Sequence, residues 1–286
     1  MKTAKLRLVD GGARVRVKVG AIECEPIPDG MVDYASDDLF SGVSPEALRD
    51  AGIGGSGTLA YSPLLIRTAG PLILVDAGPG AELAKEWGLP AGHALEALAA
   101  SGISPEEIDQ IVVSHGHPDH VGGLSVGAGD ERVPTFPRAK IVLNRREWEF
   151  FTGPDGRAYD EDDAEVFRTR LEPARDAGLL ELVDPGYEIG PGVRLLAAPG
   201  HTPGHCAVEI ESEGERAIYI GDAMLHPVAV EHPEWTGAFE YDRLLTETTR
   251  RELLRIAAAD SRPWIAFHFT PGRIERAGEG YRYVTD

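Results

Sequence analysis

The 286-residue chain predicts an α/β fold of mixed, layered type: two β-sheets packed face to face, with helices on their outer surfaces. Three observations predict it. Short apolar runs of strand length come in two groups along the chain. Amphipathic stretches of helical length fall between and after those groups. No internal repeat, low-complexity tract or shift in composition divides the sequence, so residues 1–286 are expected to form a single domain.

The elements follow in order. LRLVDGGARVRVKVG alternates apolar and polar residues around Gly11-Gly12, which predicts a β-hairpin. Residues 25–56 are rich in Pro, Gly and Asp with poor periodicity before SPEALRDAG, and read as an irregular excursion that covers the site or meets another subunit. TLAYSPLLIRTAG and PLILVDAGPG read as two strands joined by a turn at Ala69-Gly70-Pro71. HALEALAASG fits a helix, and ISPEEI carries a capping-box start with proline at the first helical position. IVVS suits a buried strand, and further strands are expected at AKIVLN, VRLLAAP, CAVEIES, RAIYIGD and WIAFH, with only a short tail after the last. Helices are expected at NRREWEFF and across DDAEVFRTRLEPARD, where Pro173 should bend or end the element. YDRLLTETTRRELLRIAAAD fits a long amphipathic helix with Leu245, Thr249, Leu253 and Ile256 along one face.

Composition narrows the function. A net charge of −19 repels polyanions and argues against nucleic acid as partner or substrate. No apolar run is long enough to span a membrane, and the first residues carry no secretion signal. Cys24 and Cys206 make no disulfide framework, so a reducing, cytoplasmic setting is expected.

The chain has nine histidines, and three of them lie in one segment, SHGHPDHVGG at 114–123. His115, His117, Asp119 and His120 enter from the apolar run IVV, and imidazole and carboxylate are the usual ligands of zinc and similar divalent metals. Alternate residues of an extended segment point to one side, so His115 and His117 can reach one ion. Asp119 and His120, beyond the proline turn, can reach a second. Gly122-Gly123 leaves room for close approach by a neighbouring element. Three later residues complete a set: His201 in APGHTPGH, Asp222 in YIGDAMLH and His268 in IAFHF, each just past a predicted strand.

With these motifs the sequence resembles the metallo-β-lactamase superfamily, whose signature is a histidine–x–histidine–x–aspartate–histidine segment followed by three later ligands. The resemblance implies a four-layer αββα sandwich with the site at one edge. It implies that His115, His117 and His201 hold one metal, that Asp119, His120 and His268 hold the other, and that Asp222 bridges them. It implies further that Asp76 in LVDAGPG supports the ligands. Zinc is the expected metal, and manganese, cobalt, nickel and iron suit the same ligands. The expected chemistry is attack by a hydroxide shared between the two ions on a carbonyl or phosphoryl centre, with Asp119 orienting the nucleophile and passing its proton to the leaving group. No G-x-S-x-G nucleophile motif competes with this mechanism.

Departures from subfamily patterns narrow the class. Asp222 is unlike the cysteine common in zinc β-lactamases, and His117 is unlike the glutamate of flavo-diiron oxidoreductases. The helical substrate domain of glyoxalase II has no counterpart after His268. What remains resembles the lactonase and phosphotriesterase-like (methyl parathion hydrolase-like) members, acting on an ester, lactone or phosphotriester of a small apolar molecule. The tyrosine that follows the bridging aspartate in many quorum-quenching lactonases is absent. Met224, Leu225, His226, Trp235 and Phe239 either line a substrate pocket or pack their loop down. His205 is expected to support the ligands by local hydrogen bonding, while His93 and His232 have no argued role. A homodimer is compatible with the family. A mononuclear iron oxidoreductase of the sulfur-dioxygenase type and a silent scaffold on the same fold stay open as alternatives.

Overall fold

A computed structural model of the chain describes residues 5–9 and 14–285, so the Gly11-Gly12 turn lies outside the described residues, while both of its flanking strands are present. The first sheet is built, in spatial order, from Lys5–Val9, Arg14–Val19, Ile22–Pro26, Leu64–Arg67, Leu72–Val75, Gln110–Val113, Lys140–Asn144 and Leu180–Val183. Its last four strands run parallel. The second contains Glu188–Gly190, Val193–Ala197, Cys206–Ser212, Glu215–Tyr219, Pro263–Ile265, Gly272–Ala277 and Gly280–Val284. Here only Glu215–Tyr219 and Pro263–Ile265 pair in parallel among the described residues.

Both faces of each central strand are buried, which is why these runs are continuously apolar in sequence. Leu64, Ile66, Val75 and Val112 of the first sheet meet Leu195, Cys206, Val208, Ala217 and Tyr219 of the second. Their neighbours Leu65, Leu74, Ile111 and Val113 point the other way, against helical residues including Leu98, Phe151, Phe167 and Leu171. On the far side Ile218, Ile220 and Trp264 pack on Leu253, Leu254 and Ala257 of the helix Arg243–Asp260. These three apolar layers between four structural layers make the αββα sandwich. Among the described residues, no helix is long and apolar enough to cross a membrane.

Several details differ from the sequence expectation, each for a local reason. The 25–56 stretch is not irregular throughout. Gly30–Ala35 pairs antiparallel with Ser56–Tyr61 as a separate two-stranded ribbon, so TLAY belongs to that ribbon and not to the large sheet. In GMVDYA only Val32 is buried, while Met31 and Asp33 face solvent, too brief an alternation to read as a strand. The capping box at Ser104 and Glu107 forms but opens only a single 3₁₀ turn, Pro105–Glu107. Pro173 neither ends nor breaks its helix, Glu161–Asp176, because it sits in the last turn. The long helix buries Thr246, Arg250, Leu253, Leu254 and Ala257, a stripe turned from the expected one because Arg250 is held inside as an ion pair. Beyond His268, the hairpin Gly272–Ala277 and Gly280–Val284 stands where a tail is expected.

Candidate metal centre

Strand ends build the site. The residue after Leu72–Val75 is Asp76, and Gln110–Val113 leads directly into Ser114 and His115. In the second sheet Val193–Ala197, Glu215–Tyr219 and Pro263–Ile265 lead within a few residues to His201, Asp222 and His268. The seven ligand-type side chains meet at this shared edge in two groups: His115, His117 and His201; and Asp119, His120, Asp222 and His268. Within each group the ligand atoms all lie within 4.8 Å of one another.

Glycines allow the loops to come this close. A Cβ on Gly122 would stand 2.1 Å from the Pro79 carbonyl oxygen, and one on Gly123 would stand 2.2 Å from that of Ala77. The expected close approach is therefore made by the turn that follows Asp76.

The rings are held from outside. His120 Nδ1 lies 2.9 Å from Asp76 Oδ2, His201 Nδ1 lies 3.1 Å from Glu240 Oε2, and His268 Nδ1 lies 2.9 Å from the Ala60 carbonyl. Each contact can receive the ring N–H, and in that tautomer an Nε2 lone pair is turned toward the centre. His115 does the same through Ser114 Oγ at 3.1 Å, while the Ser114 hydroxyl itself donates to Asp76 at 2.8 Å. His117 presents its Nδ1, 3.0 Å from His115 Nε2 and 2.9 Å from His201 Nε2. Burial, reinforced by neighbouring rings, holds the pKa of His115 and His117 well below the ordinary histidine value, so both are neutral.

Asp222 faces both groups. Its Oδ2 lies 3.6 Å from His201 Nε2 and 2.9 Å from His268 Nε2, and its Oδ1 lies 3.3 Å from His120 Nε2. Burial alone would raise its carboxyl, but the His268 and His120 rings hold it well below the usual carboxylate range. Two atoms decide whether cations fit. His120 Nε2 and Asp222 Oδ1 are fully buried and neither has a hydrogen-bond partner. Orphaned polar atoms of this kind are costly unless something coordinates them. Converging ring lone pairs beside an unpaired carboxylate oxygen fit divalent cations.

A further layer ties the loops together. Asp76, with φ of +63°, accepts from Ser114 N at 2.8 Å and from the Tyr219 hydroxyl at 2.7 Å, joining the two sheets directly beneath the site. His205 donates from Nδ1 to the Ala198 carbonyl at 2.9 Å and accepts from Asp222 N at 3.0 Å through Nε2. Burial lowers its pKa to about 4, so it stays neutral and supports the Asp222 loop.

Glu147 and Glu240 were not visible as site residues in the sequence. Glu147 accepts from Gly116 N, Thr202 Oγ1 and Gly204 N at 2.7, 2.7 and 2.8 Å, linking the first histidine loop to the His201 loop. Burial pushes its carboxyl up to about 7 against the pull of those three donors. Glu240 couples His201 to the buried Arg250, whose Nη2 lies 2.7 Å away. A readable signal exists for both: Glu147 shares the apolar face of its helix with Phe150 and Phe151, and Arg250 shares one with Leu253, Leu254 and Ala257.

Above the ligands opens a cavity of about 490 Å³. Tyr34, Leu59, Trp87, Leu89, Leu225 and Phe239 supply its apolar wall, and Asp119, Asp160 and Asp163 its acidic side. Of the loop residues named from sequence, Leu225 and Phe239 line the cavity. Met224 is buried in the layer beneath the long helix, while Trp235 stacks on His232 and packs edge-on against Phe40. His226 accepts from Val228 N and also meets Phe40 edge-on, so these three side chains hold the loop in place.

Comparison with known proteins agrees with this architecture. An N-acyl homoserine lactonase of Bacillus sp is 28% identical over 211 residues, which is 68% of this chain and 72% of the relative. AidC, a dizinc quorum-quenching lactonase solved with a product, superposes with a TM-score of 0.84 at 21% identity, over 99% of this chain and 98% of its own. The hydrolase AbOPH of the beta lactamase superfamily superposes with a TM-score of 0.85 at 24% identity, over 98% of this chain and 99% of its own. A model of the metallo-beta-lactamase superfamily matches residues 57–265, which take in Asp76, the histidine segment, His201 and Asp222. The chain belongs to the metallo-beta-lactamase superfamily.

Proposed function

We propose that the chain is a two-metal hydrolase of neutral lactones or esters carrying an apolar chain. In this proposal His115, His117 and His201 hold one divalent cation, Asp119, His120 and His268 hold the second, and Asp222 lies between them, with zinc as the metal. The single observation that carries it is the pair of orphaned buried atoms, His120 Nε2 and Asp222 Oδ1, at the meeting point of both ligand groups. When bound, two such cations supply a water acidic enough to act as nucleophile near neutral pH and polarise the oxygen under attack.

The protein's own groups do the rest. Of the two ligand-group carboxylates that line the cavity, Asp119 is the more open, with 18% of its side chain exposed against 4% for Asp222. It can take a proton from the attacking water and hand it to the leaving oxygen. The apolar wall excludes water from the reacting bond and seats a hydrocarbon chain. Among the described residues lining the cavity there is no Lys or Arg, so away from the cations an anionic tail meets the carboxyl groups of Asp160 and Asp163 with no basic partner for it. The lactone class is also the one on which the Bacillus relative acts by name.

Asp222→Ala tests the proposal. Metal analysis should fall from two tightly held ions per chain, and turnover of a neutral lactone should fall with it. Full retention of both removes the bridging role. A single iron per chain with oxygen consumption would instead move the protein to the oxidoreductase alternative.

A further inference from the structure

The ribbon formed by Gly30–Ala35 and Ser56–Tyr61 is fastened to the metal centre. Ala60 N donates to the His268 carbonyl at 2.9 Å, and His268 Nδ1 donates back to the Ala60 carbonyl. The next residue, Tyr61, is therefore set beside the site: its ring lies 5.4 Å from that of His268 and 5.6 Å from that of Phe267. In the ribbon's register Tyr34 stands opposite Gly57, so Tyr34, Leu59 and Tyr61 share one face. All three line the cavity. The Tyr34 and Tyr61 hydroxyls reach across that face and hydrogen-bond to each other.

That pair has two protons and uses only one in the mutual bond. Neither hydroxyl has another partner among the described residues, although Tyr61 is 1% exposed. Tyr34 is half-buried and opens onto the cavity, so the spare proton is available to a molecule bound there. Burial, with Asp119 as the foremost charged neighbour, pushes both phenols above their ordinary value of 10, so both keep their protons in neutral solution.

We infer that the Tyr34–Tyr61 pair is a hydrogen-bond donor to the leaving oxygen of the substrate, an inference that rests on the hydrolase proposal above. His268 joins the pair to Asp119: its Nε2 lies 3.6 Å from Asp119 Oδ2 and its ring 5.4 Å from that of Tyr61, and all of these residues line one cavity, so the phenols stand on the side from which Asp119 delivers the proton. As the acyl carbon–oxygen bond breaks, its electron pair goes to that oxygen. The proton taken from water by Asp119 is delivered there, and the phenol proton stays on the phenol as a hydrogen bond. The role is catalytic in the sense that the hydroxyl touches the reacting atoms.

Tyr34→Phe, Tyr61→Phe and the double variant test this, because each keeps the ring that packs on Phe239 or on Phe267 and His268. The metal-loaded enzymes are assayed on an alkyl lactone, whose leaving oxygen is strongly basic, and on a p-nitrophenyl ester, whose leaving oxygen needs no proton. The expected result is a loss of about 10²-fold in kcat on the lactone for the double variant, with KM within about threefold. On the aryl ester the expected loss is below about fivefold, and bound metal should be unchanged. Wild-type rates on the lactone in all three variants, or equal losses on both substrates, overturn the inference and leave the hydrolase proposal standing. A wild-type enzyme that hydrolyses neither compound overturns both.

Discussion

Glu240 Oε2 lies 3.1 Å from His201 Nδ1, and the other oxygen of the same carboxylate receives Arg250 Nη2 at 2.7 Å. One buried anion thus orients the His201 ring and neutralises a buried cation. Outer partners of ligating histidines typically contribute 10- to 100-fold in metal affinity. Glu240→Gln should weaken metal retention by about that factor, read by competition against a chromophoric chelator. Glu240→Ala should also lower stability by about 3–5 kcal/mol, because it strands the Arg250 charge in the interior. Unchanged metal affinity in the glutamine variant would show that His201 needs no such orientation.

Glu147 is a matching prediction for the other side of the centre. Its donors are Gly116, between His115 and His117, Thr202, next to His201, and Gly204, next to His205, and a Cβ on Gly204 would stand only 2.3 Å from Glu147 N. Removing the carboxylate leaves buried N–H and O–H groups unpaired, at about 1–3 kcal/mol for each. Glu147→Ala should therefore shift the urea midpoint by an amount worth about 3 kcal/mol or more. A shift below 1 kcal/mol would contradict the linking role.

Acid stability should depend on Glu25, far from the metal centre. Burial raises its carboxyl, but the hydrogen bond from Arg67 at 2.8 Å and the charges of Arg16 and Arg67 more than offset that, so it lies below the ordinary value of 4.5. A folded-state value below the unfolded one stabilises the fold above the unfolded value and ceases to do so as pH falls through the folded one. The difference in unfolding free energy between wild type and Glu25→Gln should be about 1–3 kcal/mol and constant above pH ~5, then shrink as acid is added. A difference that widens in acid has the wrong sign.

Charge selection is a prediction for the cavity. Asp160 and Asp163 line it with no Lys or Arg among the described lining residues, and because burial pushes the Asp163 carboxyl up to about 7 the test is run well above that pH. Three esters differing only in an ammonium, neutral or carboxylate tail should rank in that order of kcat/KM, with the carboxylate at least roughly tenfold behind the ammonium. The double variant Asp160→Asn/Asp163→Asn should bring the three within about threefold. A preference for the carboxylate compound in wild type would refute this picture.

Much of the site was legible in the sequence because metal ligation concentrates rare residue types in short spacings. His115, His117, Asp119 and His120 fall within six positions, and the strands that carry them are buried on both faces and so read as unbroken apolar runs. The partners that aim those ligands were harder to see. Glu240 and His201 are 39 positions apart, and Glu147 and Gly204 are 57 apart, so no local spacing joins them. Their trace was a charge on an otherwise apolar helix face. The ribbon carrying Tyr34 and Tyr61 escaped because its alternation buries little on the strand Gly30–Ala35 and its pairing spans a long, turn-rich connection. The helix stripe was misplaced by the buried Arg250, whose ion pair with Glu240 overrides its polarity.

The seven ligand-type side chains come from loops of both sheets: the histidine segment leaves the first, while His201, Asp222 and His268 leave the second. Beneath the site the sheets are tied by the Tyr219 hydroxyl on Asp76 and by Cys206 N on the Ser114 carbonyl, and elsewhere they meet chiefly through hydrocarbon. Cations seated at the site would act as rivets through both plates, so cohesion of the sandwich becomes a function of free metal concentration. Each tenfold rise in zinc above the dissociation constant should add about 1.4 kcal/mol to the unfolding free energy for each ion bound. The melting temperature should climb accordingly in a zinc titration, and stripping by a strong chelator should part the two plates first along the edge that holds the site.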